Sequence, residues 1–359
     1  PPEHDDQLDV DVGTVLEPTH IVADAEPVGQ RVVARVDEPH PVAEAGEPLP
    51  RDREGVRVPG VQLGRHRRDA GAGQGLCIKN EVASVRNLSG KAVKVFFNSS
   101  YGGTYQTIGA NSAARVGEWA TDAARILVLA TPITAGFTDR LGLSGHVTVF
   151  DAIPGEPDIA TLDAAMAAAR AARPDLVVGL GGGSVLDVAK LVAAMWHGDQ
   201  TLADVAGPNR IAGRRTRLAQ VPTTAGTGSE AGIRALITDP GKGNKIAVES
   251  PHLIADLAVL DPVLTFSVPP AVTAATGIDA MAHCVEAFTN RNAHPVIDGY
   301  ARMGIDLVGK YLARAVADGS DTEAREGMML ASFYGGICLG PVNTAAGHAL
   351  AYPLGLGLA

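Results

Sequence analysis

An aspartate and two histidines in the last quarter of the chain have the side chains that divalent metals prefer. Asp279 and His283 lie four residues apart in TGIDAMAHCVEAF, a string with helical periodicity. Side chains at this spacing share one face of a helix, so both can reach one ion. A carboxylate with an imidazole suits Fe(II), Mn(II), Zn(II) or Co(II) and does not suit Cu(I). The same spacing also fits a surface hydrogen bond, and both interpretations stay open.

His348 is a third candidate ligand, because it lies in NTAAGHALAYPLG, a segment of small apolar residues with almost no charge. A histidine in such surroundings is usually buried, either hydrogen-bonded or bound to a metal. If the local helix continues to Pro353, Tyr352 shares the face of His348. Tyr352 is therefore the candidate catalytic residue.

A glycine-rich turn in DLVVGLGGGSVLDVAK is the candidate binding site for a pyrophosphate. Gly182, Gly183 and Ser184 stand between a predicted strand and a predicted helix, where backbone amides and the positive helix end converge. Ser184 can cap the helix or donate to an oxygen, and Asp187 completes a spacing typical of a capping box. A tight turn without a ligand would use the same glycines.

A second glycine-rich loop, QVPTTAGTGSE, follows another predicted strand and carries several hydroxyls. Thr223, Thr224 and Thr227 suit a ribose or a nicotinamide amide at the carboxyl edge of a sheet. Lys245 can add a positive charge near these groups, although an ordinary exposed lysine has the same spacing.

Four apolar runs and the helical patterns between them predict the elements that hold the two loops. RILVLA, HVTVFD, DLVVGL and RLAQVPTT predict buried parallel strands, and ATLDAAMAAARAA and VLDVAKLVAAMW predict helices on the faces of the sheet. From Pro269 onward the patterns are helical, and the first helix opens with proline. On this helix Ile278, Met281, Ala282, Val285 and Phe288 form one apolar stripe. We predict an α/β dinucleotide-binding domain over 125–266 and an all-helical metal-binding domain over 267–359.

The first 120 residues have a different composition. Residues 1–75 contain no Phe, Trp or Tyr and many prolines, which predicts a disordered leader. Residues 76–120 alternate apolar and turn-forming residues, which predicts a small β module unrelated to the rest.

Composition narrows the class of protein. The net charge of −10 argues against a nucleic-acid partner, and no apolar run is long enough for a membrane helix. The cysteines, Cys77, Cys284 and Cys338, lack a CxxC spacing, so we expect neither disulfides nor a thiolate metal site. A cytoplasmic protein is the natural expectation.

Together, GGGSVLDVAK, PTTAGTGSE, DPVLTFSVPP, TGIDAMAHCVEAF and GHALAYPLG resemble, in order and rough spacing, the iron-containing (group III) alcohol dehydrogenase family over residues 125–359. The resemblance implies hydride transfer between a small alcohol or aldehyde and NAD or NADP, with Fe(II) or alternatively Zn(II) as the metal, and a homo-oligomer. It implies cofactor contacts and metal ligands at these positions: Gly182, Gly183, Ser184, Asp187, Thr223, Thr224, Thr227 and Lys245 for the cofactor; Asp279, His283 and His348 for the metal.

Three departures from the family pattern qualify this expectation. The chain ends at Ala359 before the further histidine that the family supplies as a fourth ligand. Tyr352 stands where many members carry another histidine, and Thr131 where NAD-preferring members often carry an acidic residue. We therefore expect impaired activity and an open choice between NAD and NADP. The alternatives are a non-catalytic truncated or fused remnant, a maleylacetate-reductase-like enzyme, or a lyase of the dehydroquinate-synthase type.

Overall fold

A computed structural model describes residues 105–351 in full and, before them, seven strands as backbone only. These strands are β1 His20–Ala23, β2 Val32–Val36, β3 Arg57–Val58, β4 Val61–Leu63, β5 Leu76–Ile78, β6 Ala83–Asn87 and β7 Val93–Phe96. The rest of residues 1–104 and residues 352–359 lie outside the described residues, and the predicted disorder of 1–75 falls mostly on them.

The described core alternates strands with helices up to residue 260. Its strands are β8 Tyr105–Ile108, β9 Arg125–Ala130, β10 His146–Phe150, β11 Leu176–Gly181, β12 Gly207–Pro208, β13 Arg217–Pro222, β14 Arg234–Asp239, β15 Asn244–Glu249 and β16 Leu257–Leu260. Its helices are α1 Arg115–Trp119, α2 Ile159–Ala172, α3 Gly183–Met195 and α4 Leu202–Val205. All four predicted strands and both predicted helices of this part are confirmed.

Nine strands form the main sheet in the order β10-β9-β11-β13-β16-β8-β7-β2-β5. From β10 to β8 every pair is parallel, and β7 pairs antiparallel with β8. Helices α2 and α3 pack on one face of the sheet, and α1 on the other. Because both faces are covered, β11 is buried along its whole length, which explains why its sequence is continuously apolar.

Strand β8 corrects one boundary in the expected organisation. We assigned residues 76–120 to a separate β module, but β8 pairs in parallel with β16 of the α/β sheet. The buried carboxylate of Asp261 reinforces this junction by accepting the N–H groups of Asn111 and Ala113, at 2.9 and 3.0 Å. Residues from Tyr105 onward therefore belong to the α/β sheet.

Three long helices follow the sheet, as the sequence predicts: α5 Pro270–Phe288, α6 Pro295–Ala317 and α7 Thr322–Leu339. Proline occupies the first turn of α5 and α6, where no backbone donor is lost. Asp321 caps α7 by accepting the N–H of Ala324 at 3.0 Å. A further helical turn spans residues 346–351. None of the helices in this described part combines the length and apolar character needed to cross a bilayer.

The predicted apolar stripe of α5 does not face the core. Ile278 is 59% exposed, and Val285 and Phe288 are partly exposed as well. The buried face of α5 consists of smaller residues, among them Ala280, Cys284 and Ala287. Small side chains let α5 approach α6 and α7 closely, so the larger apolar residues are left on the opposite side.

Candidate functional site

The glycine-rich turn between β11 and α3 lies at the carboxyl edge of the parallel sheet. Gly182 is the N-cap of α3 and no side chain caps the helix, so the predicted capping box of Ser184 and Asp187 is wrong. A Cβ on Gly182 would lie 3.1 Å from Thr224 Oγ1, and one on Gly183 would lie 2.5 Å from Thr227 Cγ2. The two glycine-rich loops are therefore in direct contact beside the helix N-terminus.

Ser184 and Lys245 border this turn from a third segment. Ser184 Oγ donates a hydrogen bond to the carbonyl of Gly155. Lys245, on β15, holds its Nζ 2.7 Å from Glu156 Oε2. The segment around Gly155 and Glu156 thus links both predicted cofactor residues to the same edge of the sheet.

Asp187 and Thr223 make internal contacts in the structure. Asp187 accepts hydrogen bonds from Ser229 Oγ at 2.5 Å and from the N–H of Leu236 at 2.9 Å. Thr223 is buried, and its N–H donates to the carbonyl of Gly181 at 3.0 Å. Both residues fix the shape of the two loops, and only the neighbouring backbone and hydroxyls border the turn itself.

A buried polar cluster behind the turn joins α3 to the end of the second loop. Lys190 Nζ donates to Ser229 Oγ and to the carbonyl of Arg234, each at 2.7 Å, and lies 3.5 Å from Asp187. Burial lowers the pKa of Lys190, although Asp187 and Glu230 oppose the shift. Burial also raises the pKa of Glu230 to about 7, despite the opposing charge of Lys190.

The raised pKa of Glu230 predicts a pH-dependent free energy of unfolding. The folded chain binds the proton more tightly than the unfolded chain, so this stabilisation is complete below about pH 4.5 and is lost as pH rises through about 7. The shift is worth up to about 3 kcal/mol. Urea unfolding should show the Glu230→Gln variant gaining stability relative to wild type between pH 5 and pH 8. The exposed Glu118→Gln substitution is the control, and an equal pH dependence in wild type and Glu230→Gln would contradict the prediction.

The second glycine-rich loop also contacts the helical part. A Cβ on Gly226 would lie 2.8 Å from Thr276 Cβ on α5. Gly228, with φ +60, lies against the backbone of Ser332 and Gly336 on α7, and its N–H donates to Ser332 Oγ at 3.0 Å. One loop therefore touches the glycine turn, α5 and α7, and sets the distance between the two halves of the site.

Asp279, His283 and His348 come together where α5 meets the last helical turn. One potential ligand atom from each lies within 4.8 Å of the others. Asp279 Oδ1 is 3.5 Å from His283 Nε2 and 3.3 Å from His348 Nε2. The two imidazole rings stack with centroids 4.6 Å apart. The three residues whose spacing suggested ligation therefore form one cluster.

The protonation of this cluster follows from burial and charge. Burial lowers the pKa of His283, with Asp279 partly opposing the shift, so its imidazole is neutral near pH 7. The hydrogen bond to Asp279 is the main cause that raises the pKa of His348. Burial alone would raise the pKa of Asp279, but the hydrogen bond from His348 and the nearby His283 hold it below its usual value.

The donor set fits a divalent metal ion. A carboxylate and two imidazoles are the mixed ligands that iron and zinc accept, and they leave coordination positions open. His283 Nδ1 is buried against the backbone of Gly226 without a hydrogen bond of good geometry. The ring thus presents Nε2, and no other described polar group competes for the lone pair apart from Asp279.

Glu286 is a site residue that we did not predict. It lies on α5 three residues after His283, and its Oε1 is 2.9 Å from His348 Nδ1. The signal was present, because Asp279, His283 and Glu286 follow the i, i+4, i+7 spacing of one helix face. The predicted catalytic residue, Tyr352, lies outside the described residues, so its role stays a prediction.

Fold and site together define a class of protein: a parallel α/β domain with a glycine-rich turn, joined to a helical domain that carries a metal-type donor cluster. Known proteins share this arrangement. The family model "Iron-containing alcohol dehydrogenase" matches residues 104–262, and "Fe-containing alcohol dehydrogenase family, C-terminal" matches residues 273–358. The first match begins beside β8, in agreement with its place in the sheet.

Individual relatives agree with the family models. Long-chain-alcohol dehydrogenase 1 of Geobacillus thermodenitrificans is 42% identical over 246 residues, which cover 65% of this chain and 61% of the relative. A 1,3-propanediol oxidoreductase structure superposes with TM-score 0.67 and 30% identity, covering 70% of this chain and 68% of the other. Sulfoacetaldehyde reductase from Bifidobacterium kashiwanohense, solved with NAD+, gives TM-score 0.65 and 32% identity, covering 69% and 68%.

The chain belongs to the iron-containing alcohol dehydrogenase family. It spans about six-tenths of the length of the first curated relative. The predicted family and the predicted order of an α/β part before an all-helical part are thereby confirmed.

Proposed function

We propose that this chain is a metal-dependent oxidoreductase that transfers hydride between a small alcohol or aldehyde and NAD or NADP. The observation that carries the proposal is the convergence of Asp279, His283 and His348, which are separated by up to 69 residues in sequence. Family membership supports the same reaction class. Relatives whose names specify alcohol dehydrogenase or sulfoacetaldehyde reductase activity favour alcohols and aldehydes as substrates.

Each part of the site has a task in this reaction. Asp279 supplies a negative charge, while His283 and His348 supply neutral nitrogens to a divalent ion, for which Fe(II) is the first choice and Zn(II) the alternative. Such an ion would polarise the oxygen of the alcohol or aldehyde, and the nicotinamide would carry the hydride. The chain itself orients the reactants, and Tyr352 is proposed to exchange a proton with the substrate.

The cofactor is proposed to bind where the two glycine-rich loops meet. Amides of Gly183 and Ser184 at the start of α3 suit the pyrophosphate, and the hydroxyls of Thr224 and Thr227 border the same point. The NAD complex of a structural relative supports NAD. Thr131 offers no carboxylate to a ribose, and its hydroxyl lies 3.0 Å from that of Thr134, so NADP is proposed as the alternative cofactor.

Metal removal and reconstitution test the proposed function. The full chain is stripped with a chelator, reloaded with Fe(II) or Zn(II), and assayed by the loss of NADH or NADPH absorbance with propanal as substrate. We expect about one metal per chain, turnover with metal and none after chelation. Cofactor binding without metal or turnover would instead identify a non-catalytic protein and overturn the proposal.

A further inference from the structure

Glu286 holds the segment that carries His348 by both of its carboxylate oxygens. Oε1 accepts the backbone N–H of His348 at 3.1 Å and lies 2.9 Å from Nδ1 of the same residue. Oε2 accepts the N–H of Ala345. The side chain is 13% exposed, so water competes weakly for these contacts. One carboxylate therefore fixes both the backbone and the ring of His348.

The neighbouring sequence is shaped around this carboxylate. Gly347 lies directly against Glu286, and a Cβ at this position would collide with Oε1. The residue at 347 must therefore be small for the carboxylate to reach both N–H groups around it. The contact is thus built from two sides, by the α5 face and by a glycine in the segment it holds.

The direction of the imidazole follows from these contacts. A carboxylate accepts and cannot donate, so its partner Nδ1 carries the hydrogen. Nε2 is then the nitrogen with the lone pair, and it is the nitrogen directed at Asp279, 3.3 Å away. A histidine that ligates a metal commonly donates its other N–H to a carboxylate, which orients the ring and raises its basicity.

We propose that Glu286 is the positioning residue of the metal centre: it holds His348 with Nδ1 protonated and Nε2 presented to the ion. The proposal rests on the proposed function for the metal itself. The state of the imidazole in the metal-free protein depends on Glu286 alone, so the two ideas can fail separately.

Co(II) titration of the full chain, followed by its d–d absorption, tests the proposal. Glu286→Gln keeps the size of the side chain but replaces one acceptor by a donor, so one of the three N–H groups loses its partner. We expect the dissociation constant for Co(II) to rise about 10- to 100-fold, with a changed d–d spectrum. Gly347→Ala disturbs the same contact from the other side and should shift both readouts in the same direction.

The matched control is Asn290→Ala. Asn290 Nδ2 donates to the carbonyl of Thr344 at 3.3 Å, so it ties the end of α5 to the same segment without touching the ring of His348. We expect the Co(II) affinity and spectrum of this variant to match those of wild type. Equal weakening in Asn290→Ala and Glu286→Gln would mean that the segment needs only a tether, and the proposal would be overturned. Wild-type affinity in Glu286→Gln would also overturn it.

A metal-free measurement separates this proposal from the proposed function. In 15N-labelled chain, at a pH well above the pKa of the imidazole, the ring nitrogens of His348 report which one carries the hydrogen. We expect Nδ1–H in wild type and a shift towards Nε2–H in Glu286→Gln. An unchanged tautomer would reject the role of Glu286 even if metal binds, whereas the expected tautomers without any Co(II) binding would reject the metal site and leave the role of Glu286 standing.

Discussion

Replacing His283 with alanine should remove stoichiometric metal and lower aldehyde-dependent NADH oxidation by about a thousandfold or more. His283 is the most buried of the three clustered residues, and its neutral Nε2 points at Asp279. Loss of a Lewis acid removes several kcal/mol of transition-state stabilisation, and each 1.36 kcal/mol is tenfold in rate. Metal content by mass spectrometry and turnover on the same preparation measure the two effects together.

Two further variants make this first prediction specific. Asp279→Asn keeps the size of the side chain and removes only the charge, so it should lose metal without a packing defect. His146→Ala, at the exposed start of β10, should keep metal and turnover. NADH binding should survive in all three variants, because the glycine turn lies on the other domain. Metal bound at wild-type stoichiometry in His283→Ala would remove this residue from the ligand set.

The sequence predicts the secondary structure of residues 125–339 well, because the dominant signal there is hydrophobic periodicity. Continuous apolar runs mark β9, β11 and β13, whose faces are both covered by helices. Three strands were missed. The alternating β14 and β15 form a separate small sheet with β12, and β16 has only four residues between turns. Short or edge strands carry too little pattern to stand out.

The α5 stripe was predicted on the wrong side, because periodicity measures apolar residues and not their size. The helix is apolar on most of its circumference, so its moment does not point to one partner. In the structure Gly277 faces Leu312 and Cys284 faces Gly304, and these close approaches select the side with small residues. Packing between helices decided the orientation, and the sequence of one helix does not contain that information.

Contacts between distant residues limit what could be predicted for the site. Asp187 was assigned to a local cap, yet its partners Ser229 and Leu236 are more than forty residues away in sequence. His348 joined the ligand set only through the family resemblance, because nothing local connects it to α5. Glu286 was missed for the same reason, since its partners lie in the segment of His348.

Gly228→Ala should destabilise the chain more than any other single methyl addition in the second loop. Gly228 has φ +60, which costs a residue with a Cβ about 1–2 kcal/mol. Its added methyl would also collide with the backbone of Ser332 and Gly336, and overpacking against atoms that cannot rotate away costs about 1–3 kcal/mol. The sum predicts a loss of roughly 2–5 kcal/mol in the free energy of unfolding.

Two glycine controls separate the backbone cost from the collision. Gly243 has φ +58 and nothing within 4 Å of an added Cβ, so Gly243→Ala should cost only the backbone term of about 1–2 kcal/mol. Gly336 has no positive φ, but its Cβ would collide with the backbone of Gly228, so Gly336→Ala should cost mainly the collision. Urea unfolding of the three variants at one pH gives the comparison. If Gly228→Ala costs no more than Gly243→Ala, the close contact between the second loop and α7 does not hold the two domains together. If it costs several kcal/mol more, the same contact that stabilises the fold also fixes the glycine turn relative to Asp279 and His283.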